Sequence, residues 1–374
     1  MSWPLKSLDE LGYVSRGRSR HRPRDAEFLY GGPYPFIQTG NVKHANLYIY
    51  NYSQTYSEAG LAQSKLWKTG TLCITIAANI ADTAILGNDA CFPDSIIGFI
   101  PEKDKADARF IKYLFDALLQ RRYQRFTQGA AQDNLSQAKL LSLKFPVPDV
   151  NVQNRIANSL AAYDDLIENN RHRIQLLEEA ARLLYKEWFV YLRFPGHKHV
   201  KIKNGVPEGW EKRPLGEMAT LRYGKALKQD DRIAGDYPVY GSSGVIGTHV
   251  KAFAQGPGII VGRKGNVGSI FWSEEDFNPI DTVYFIDRDQ SDLYLYYALL
   301  HTSFMSTDVA VPGLNRDFAH SRELLIPESR IKLLFEETPI SIRKQIRVLQ
   351  KYNQALAQAR DLLLPRLMNG DIAV

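Results

Sequence analysis

Only two cysteines occur in the 374 residues, Cys73 and Cys91, and both lie in apolar, strand-like runs. They read as buried thiols of a reducing, cytoplasmic compartment and exclude a scaffold built on disulfides. No apolar run reaches the roughly 18–20 residues that cross a bilayer, so no membrane partner is expected. The opening MSWPLKSLDEL lacks a basic stretch followed by an apolar one, which argues against a signal peptide. Catalytic patterns are missing as well. There is no G-x-x-x-x-G-K-[ST] loop, and Gly262, Gly265 and Gly268 are spaced three apart, which does not make G-x-G-x-x-G. H-E-x-x-H is absent, and the histidines show no ligand spacing beyond His197 and His199. Gly241-Ser242-Ser243-Gly244 is not a nucleophile elbow. Pro93-Asp94 lacks the acid-x-Lys that a nuclease metal site needs, since Glu102 is followed at that spacing by Asp104. No catalytic residue, metal site or cofactor is expected.

What is present starts with two long heptad seams. Between 151 and 192, one series is Leu160, Ile167, Ile174, Ala181 and Trp188. A second is Tyr163, Asn170, Leu177, Leu184 and Tyr191, with Asn170 alone polar. Neither Pro nor Gly interrupts this stretch. About 40 helical residues span roughly 60 Å, too long and too narrowly apolar for a core helix. The C-terminal stretch offers a partner, with Ile342, Leu349, Leu356 and Leu363 in one series and Ile346, Asn353, Arg360 and Leu367 in the other. Asn353 is again an amide in a seam, where a buried Asn fixes register at some cost in stability. Two independent amphipathic helices would satisfy the same pattern, but a packed antiparallel pair is preferred.

The rest of the chain repeats itself around these rods. Trp210 lies 207 residues after Trp3, Asn266 lies 187 after Asn79, Asn315 lies 181 after Asn134, and Asn353 lies 183 after Asn170. Landmarks recurring in one order at similar offsets indicate a tandem duplication of globule plus helix. The expected fold is α/β: two similar domains joined by two long antiparallel helices in a pseudo-twofold repeat. The boundaries fall at 1–149, 150–193 (helix), 194–209 (a Pro/Gly/Lys linker), 210–331 and 332–374 (helix and tail). Strand-like pieces are expected at 35–42, 47–52, 70–86 and 95–101, and a helix over 107–126.

With catalysis excluded, the remaining chemistry is recognition. The net charge of +6 favours a polyanionic partner. The run SRGRSRHRPR carries Arg16, Arg18, Arg20, Arg22 and Arg24, with Gly17 and Pro23 forbidding a regular helix. It is either a solvated loop or a phosphate contact, and five arginines against Asp25 favour the contact. Arg121, Arg122 and Arg125 interleave with Tyr123 and Phe126, a face that can straddle a phosphate backbone or simply end a helix in solvent. Amide side chains can pair with adenine and Arg or Lys with guanine. The first globule offers Gln38, Thr39, Asn41, Lys43 and Gln132 on turns. The second offers Tyr223, Lys225 and Lys228, the Ser242-Ser243 turn, Arg263 and Lys264 at a strand end, and Arg316. The repeated pairs Asn79/Asn266 and Asn134/Asn315 read as structural turn formers, because readers of different bases should differ between globules. Arg263 and Lys264 fit readout better, since Ile76 and Ala77 stand at the matching positions.

The segments Asp164-Asp165-Leu166-Ile167-Glu168-Asn169-Asn170, Glu187-Trp188-Phe189, Val206-Pro207-Glu208-Gly209-Trp210 and Asp361-Leu362-Leu363-Leu364-Pro365-Arg366-Leu367 carry a resemblance. The chain resembles a specificity subunit of a type I restriction–modification system over essentially its whole length. That resemblance implies a non-catalytic protein with two target recognition domains and two conserved spacer helices. Its implied partners are double-stranded DNA, two methyltransferase subunits and restriction/motor subunits. A stand-alone DNA-binding or scaffold protein is the alternative. Ala81 departs from the family, whose turn often carries Gly there, which implies a differently shaped turn. Asn278-Pro279-Ile280-Asp281 only faintly resembles the Asn-Pro-Pro-aromatic motif of adenine methyltransferases and reads as structural.

Overall fold

A computed structural model describes residues 3–77, 80–120, 135–304 and 313–372. Asn79, Arg121, Arg122, Arg125, Gln132 and Asn134, named above, lie outside the described residues. The chain divides into two compact units, one of Met1–Arg171 with Leu349–Val374 and one of His172–Val348. Each is α/β, and each takes part of two long helices, Val150–Tyr185 and Ser329–Met368.

The first unit is built on a five-stranded sheet in the order Gly12–Arg16, Ile96–Pro101, Leu72–Thr75, Thr83–Leu86, Tyr48–Ile49. All pairs are antiparallel except the last. Alternation along each strand sends side chains to opposite faces, and both faces are covered. Leu72, Ile74, Ile97 and Phe99 pack with Phe110, Leu114 and Phe115 of the helix Ala108–Phe115. Cys73, Ala84, Leu86 and Ile96 pack on the other side with Trp67 and Phe92. Both thiols are buried and unpaired.

The second unit repeats this plan. Its sheet runs Arg222–Tyr223, Val283–Ile286, Gly258–Gly262, Ile270–Ser273. Ile259, Val261, Tyr284 and Ile286 share one core with the helix Leu293–His301, and Ile260, Val283 and Phe285 share the other with Phe277. The two-stranded pair Leu5–Lys6 with Phe145–Pro146 has its counterpart in Glu211–Pro214 with Glu323–Ile326. The repeat extends to a single turn. Ala81 N–H donates to the Thr75 carbonyl and Gly268 N–H to the Gly262 carbonyl, both at 2.9 Å. Their φ angles are 68° and 76°. The buried Ala81 takes the left-handed conformation that its glycine counterpart adopts without steric cost, while residues 78 and 79 of the same turn lie outside the described residues.

Most seam residues are covered, unit by unit; Tyr191, counted in the first seam, is instead exposed at the end of the helical stretch. In the first unit Leu160, Ile167, Leu349 and Leu367 are buried, Leu356 and Leu363 half-buried, and Asn170 Nδ2 donates to Asn353 Oδ1 at 2.9 Å. The two lone amides satisfy each other. In the second unit Ile174, Leu177, Leu184 and Trp188 pack against a core that holds Ala181, Tyr185, Phe335, Ile342 and Ile346. In the first unit the order of partners, Asn170 with Asn353 and Asp164 with Arg360, makes the helices antiparallel.

Three local expectations need correction, and a fourth is met over its described part. Asn170 is not the only polar group in the first seam: Asp164, 2% exposed, carries it in place of half-buried Tyr163. The stretch 35–42 is not one strand. The strand Tyr30–Phe36 ends and a helix, Thr39–His44, follows, because Asn41 Oδ1 accepts from the Gln38 N–H at 2.8 Å and caps it. The helix expected over 107–126 is helical over its described part, as Ala108–Phe115 and then a wider π-helical turn, Asp116–Gln120, while residues 121–126 lie outside the described residues. The linker contains a small hairpin, Ile202–Lys203 with Val206–Pro207, turned by left-handed Asn204 and Gly205.

Candidate nucleic-acid interface

The basic run of the first unit is pinned along its length rather than looping freely. Arg16 ends a strand, Gly17 N–H donates to the Ile96 carbonyl and Arg18 N–H to the Phe92 carbonyl. A side chain at Gly17 would meet the Phe92 and Pro93 carbonyls at 2.4 Å, so only glycine lets the run lie this close. Gly17 and Ser19 face inward while Arg16, Arg18, Arg20, Arg22 and Arg24 are exposed. Gln63 Oε1 accepts from the N–H groups of Arg20 and His21 at 2.6 and 3.0 Å, and Ser64 Oγ donates to the Arg18 carbonyl.

The five guanidinium groups are not equivalent. Arg16 Nε donates to the Asp94 carbonyl at 2.8 Å, and Arg24 is paired with the Asp94 carboxylate at 3.0 Å. Arg22 folds back onto the Ser19 and His21 carbonyls at 2.8 and 2.7 Å. Among the described residues, the side chains of Arg18 and Arg20 make no hydrogen bond or ion pair with protein. Beside them, Lys65 Nζ lies 3.7 Å from the Trp67 ring centroid and donates to the Tyr13 hydroxyl at 3.2 Å. Hydrogen bonding from Ser15, then from Lys65, holds that tyrosine below its ordinary range. Lys65 gave no signal in the sequence, being one basic residue in a mixed stretch.

Gln38, Thr39, Asn41 and Lys43 come together around the short helix that starts at Thr39. Gln38 Nε2 donates to Gln54, and Asn41 Nδ2 approaches the Asn51 carbonyl at 3.4 Å. The two amides hold this helix in place, while exposed Lys43 stands at its end.

The second unit brings most of its named residues into one cluster. Its sheet ends at the turn after Gly262, where the Arg263 and Lys264 N–H groups both donate to the Thr282 carbonyl, at 2.9 and 3.0 Å. Arg263 Nη1 donates to the Asp281 carbonyl at 3.2 Å, and the Arg263 carbonyl accepts from Leu314 N–H at 2.8 Å. The Arg263 guanidinium carbon stands 5.0 Å from the Tyr223 ring centroid, and that of Arg316 stands 5.3 Å from the same ring. The Ser242-Ser243 turn touches this turn from the other side: Ser242 Oγ accepts from Asn266 N–H at 3.4 Å, and the Ser242 carbonyl accepts from Ser269 Oγ at 2.6 Å. Asn315 caps the helix Arg316–His320, accepting from the Asp317 and Phe318 N–H groups, which is the structural role its sequence suggested. Lys225 and Lys228 are exposed on the segment after Tyr223, and no contact brings their side chains into the cluster.

No group of three or more His, Cys, Asp or Glu that could hold a metal occurs among the described residues. Nor is any described helix long and apolar enough to cross a membrane. The arrangement can offer fixed and loose cations, hydroxyls and amides to a polyanion.

A family profile described as "Type I restriction modification DNA specificity domain" matches residues 2–179 and 207–318. The type I restriction enzyme MjaIX specificity subunit of Methanocaldococcus jannaschii is 27% identical over 235 residues, covering 61% of this chain and 54% of that relative. The chain thus spans about half of that protein's length. The type I restriction enzyme HindI specificity subunit of Haemophilus influenzae is 21% identical, over 97% of this chain and 98% of that relative. Among solved structures, the S subunit of a type I restriction–modification system from M. genitalium has a TM-score of 0.58 at 19% identity, covering 98% of this chain and 96% of the other. That last likeness is one of fold.

Proposed function

Since the chain belongs to the type I restriction–modification DNA specificity family, we propose that it reads a bipartite DNA target and positions the enzymes that act there. Residues 1–149 and 210–331 each read one half of the target, and the long helices set the distance between the halves. Two methyltransferase subunits and the restriction/motor subunits are the partners, and the chemistry is theirs. The chain itself supplies the address, in the cytoplasm.

The observation that supports this most directly is the repeated turn. The same hydrogen bond and a left-handed residue at its close recur in both units, at Ala81 and at Gly268. Yet Ile76 and Ala77 precede it in the first unit where Arg263 and Lys264 precede it in the second. A shared frame carrying different side chains is what two readers of different half-sites require.

The test is to purify the chain with and without co-expressed methyltransferase subunits and to assay adenine methylation of target duplexes. The chain alone should transfer no methyl groups and the complex should. Methylation by the isolated chain, or failure of any methyltransferase subunit to co-purify, would overturn the proposal.

A further inference from the structure

We propose that Tyr223 is a positioning residue that divides two arginines between two tasks: Arg263 reads a guanine and Arg316 holds a phosphate. This rests on the reading of the chain as a DNA-specificity subunit and adds to it a division of roles within the second unit.

Tyr223 sits on the edge strand of its sheet, opposite Tyr284, with ring centroids 5.1 Å apart in an edge-to-face arrangement. Its ring is half exposed, yet two guanidinium groups lie within 5.0 and 5.3 Å of it. Neither arginine is paired with a carboxylate among the described residues. Two unpaired cations gathered at one aromatic ring repel each other, and the ring's quadrupole offsets part of that repulsion. An arriving anion or acceptor edge relieves the rest.

The two arginines are held very differently. Arg263 is fixed at its N–H by Thr282, at its carbonyl by Leu314 and at its head by Asp281. The Tyr284 hydroxyl closes the frame by donating to the Leu314 carbonyl at 2.9 Å. The Asp281 carbonyl and the Tyr284 hydroxyl engage part of the Arg263 guanidinium, and its remaining N–H donors are left for an incoming group. A fixed fork suits the paired N7 and O6 acceptors of guanine, which demand direction. Arg316 is exposed and makes no side-chain hydrogen bond among the described residues. A loose cation suits a phosphate, which demands charge and little direction. The strand pairing shows how the units differ: Arg16, opposite Ile97, stands in the first unit where Tyr223, opposite Tyr284, stands in the second. The first unit has its cation, Arg16, at the strand end and Ile76 in the turn; the second has Tyr223 at the strand end and its cation, Arg263, in the turn.

The test uses the full chain assembled with its methyltransferase subunits to select from a library of random duplexes. Wild type should enrich a guanine at one position of one half-target. Arg263→Ala and Tyr223→Ala should each cut that enrichment about tenfold or more. Tyr223→Phe keeps the ring and should keep the enrichment. Arg316→Ala should also keep it, while flattening the slope of log affinity against log salt by about 0.9. Replacing the guanine with 7-deazaguanine, which removes N7, should weaken wild type but not Arg263→Ala. Full enrichment in Tyr223→Ala, or a loss in Tyr223→Phe equal to that in Tyr223→Ala, would overturn the positioning role. Loss of guanine preference in Arg316→Ala would overturn the division. If wild type selects no sequence at all, it is the specificity reading that falls.

Discussion

Replacing Asp164 with alanine should destabilise the first unit by several kcal/mol. The carboxylate is 2% exposed at the crossing of the two long helices. One of its oxygens pairs with Arg360, whose side chain is 23% exposed, and the other accepts from the buried Tyr113 hydroxyl. Burial, and then the neighbouring carboxylate, raise the Tyr113 hydroxyl above its ordinary range, so it stays a donor. Removing the carboxylate leaves a buried hydroxyl without an acceptor and leaves Arg360 with one counter-charge, the exposed Asp361 carboxylate 2.8 Å from it. Removing one partner of a buried pair costs about 3–5 kcal/mol, and an orphaned buried polar group about 1–3 kcal/mol. These overlap, and Asp361 stays with Arg360, so about 2–4 kcal/mol is expected for Asp164→Ala. The double variant with Arg360→Ala should cost much less than the sum of the single losses, because each change removes what the other strands. Urea titrations of wild type, both singles and the double, followed by circular dichroism and fluorescence, give the coupling. Urea is preferred because guanidinium would screen the ion pair. A loss below about 1 kcal/mol in Asp164→Ala, or strictly additive losses in the double, would refute the reasoning.

Other consequences are equally measurable. In the basic run, Arg18→Ala and Arg20→Ala should each reduce the salt slope of DNA binding by about 0.9, and Arg22→Ala by less, because its guanidinium already serves the Ser19 and His21 carbonyls; an equal effect from Arg22 would contradict that ranking. Gly268→Ala should lower stability by about 1–2 kcal/mol from backbone strain alone, with more from a Cβ placed 3.0 Å from that of Phe304, so a neutral melting curve would disprove the account of this turn. His320 Nε2 accepts from Leu221 N–H, and burial, then the charge of Arg316, lowers its pKa. The unfolded state therefore binds the proton more readily: the His320 contribution is complete above an unfolded pKa of about 6.5 and is lost as pH falls through and below it. His320→Gln should flatten the stability loss of the second unit between about pH 7 and 5, leaving the part due to His301, which burial shifts in the same direction.

Much of this was legible in the sequence because it depends on periodicity. The seams from Leu160 to Trp188 and from Leu349 to Leu367, and the tandem repeat, follow from spacing alone. The choice of Arg263 over the repeated asparagines rests on the same comparison of repeats, and base readout by Arg263 is what the selection experiment tests. Asp164 was missed because heptad counting placed Tyr163 in the seam. The signal was available: Arg360 stood in the facing seam, and a cation there demands a buried acid. The strand expected over 35–42 failed at Gln38, where Asn41 starts a helix that β-forming neighbours concealed. The inequality of the five arginines was beyond sequence reasoning. It depends on Asp94, brought to Arg16 and Arg24 by tertiary folding, and on the Ser19 and His21 carbonyls that the run's own conformation turns toward Arg22.

The central claim is that each unit reads its own half of one target. Mapping methylated adenines genome-wide, in cells expressing the whole system, tests it most directly. The wild-type chain should yield a bipartite motif, and exchanging residues 211–330 for the matching segment of another specificity subunit should change one half and leave the other intact. A motif that is not bipartite, or a change in both halves, would contradict the account.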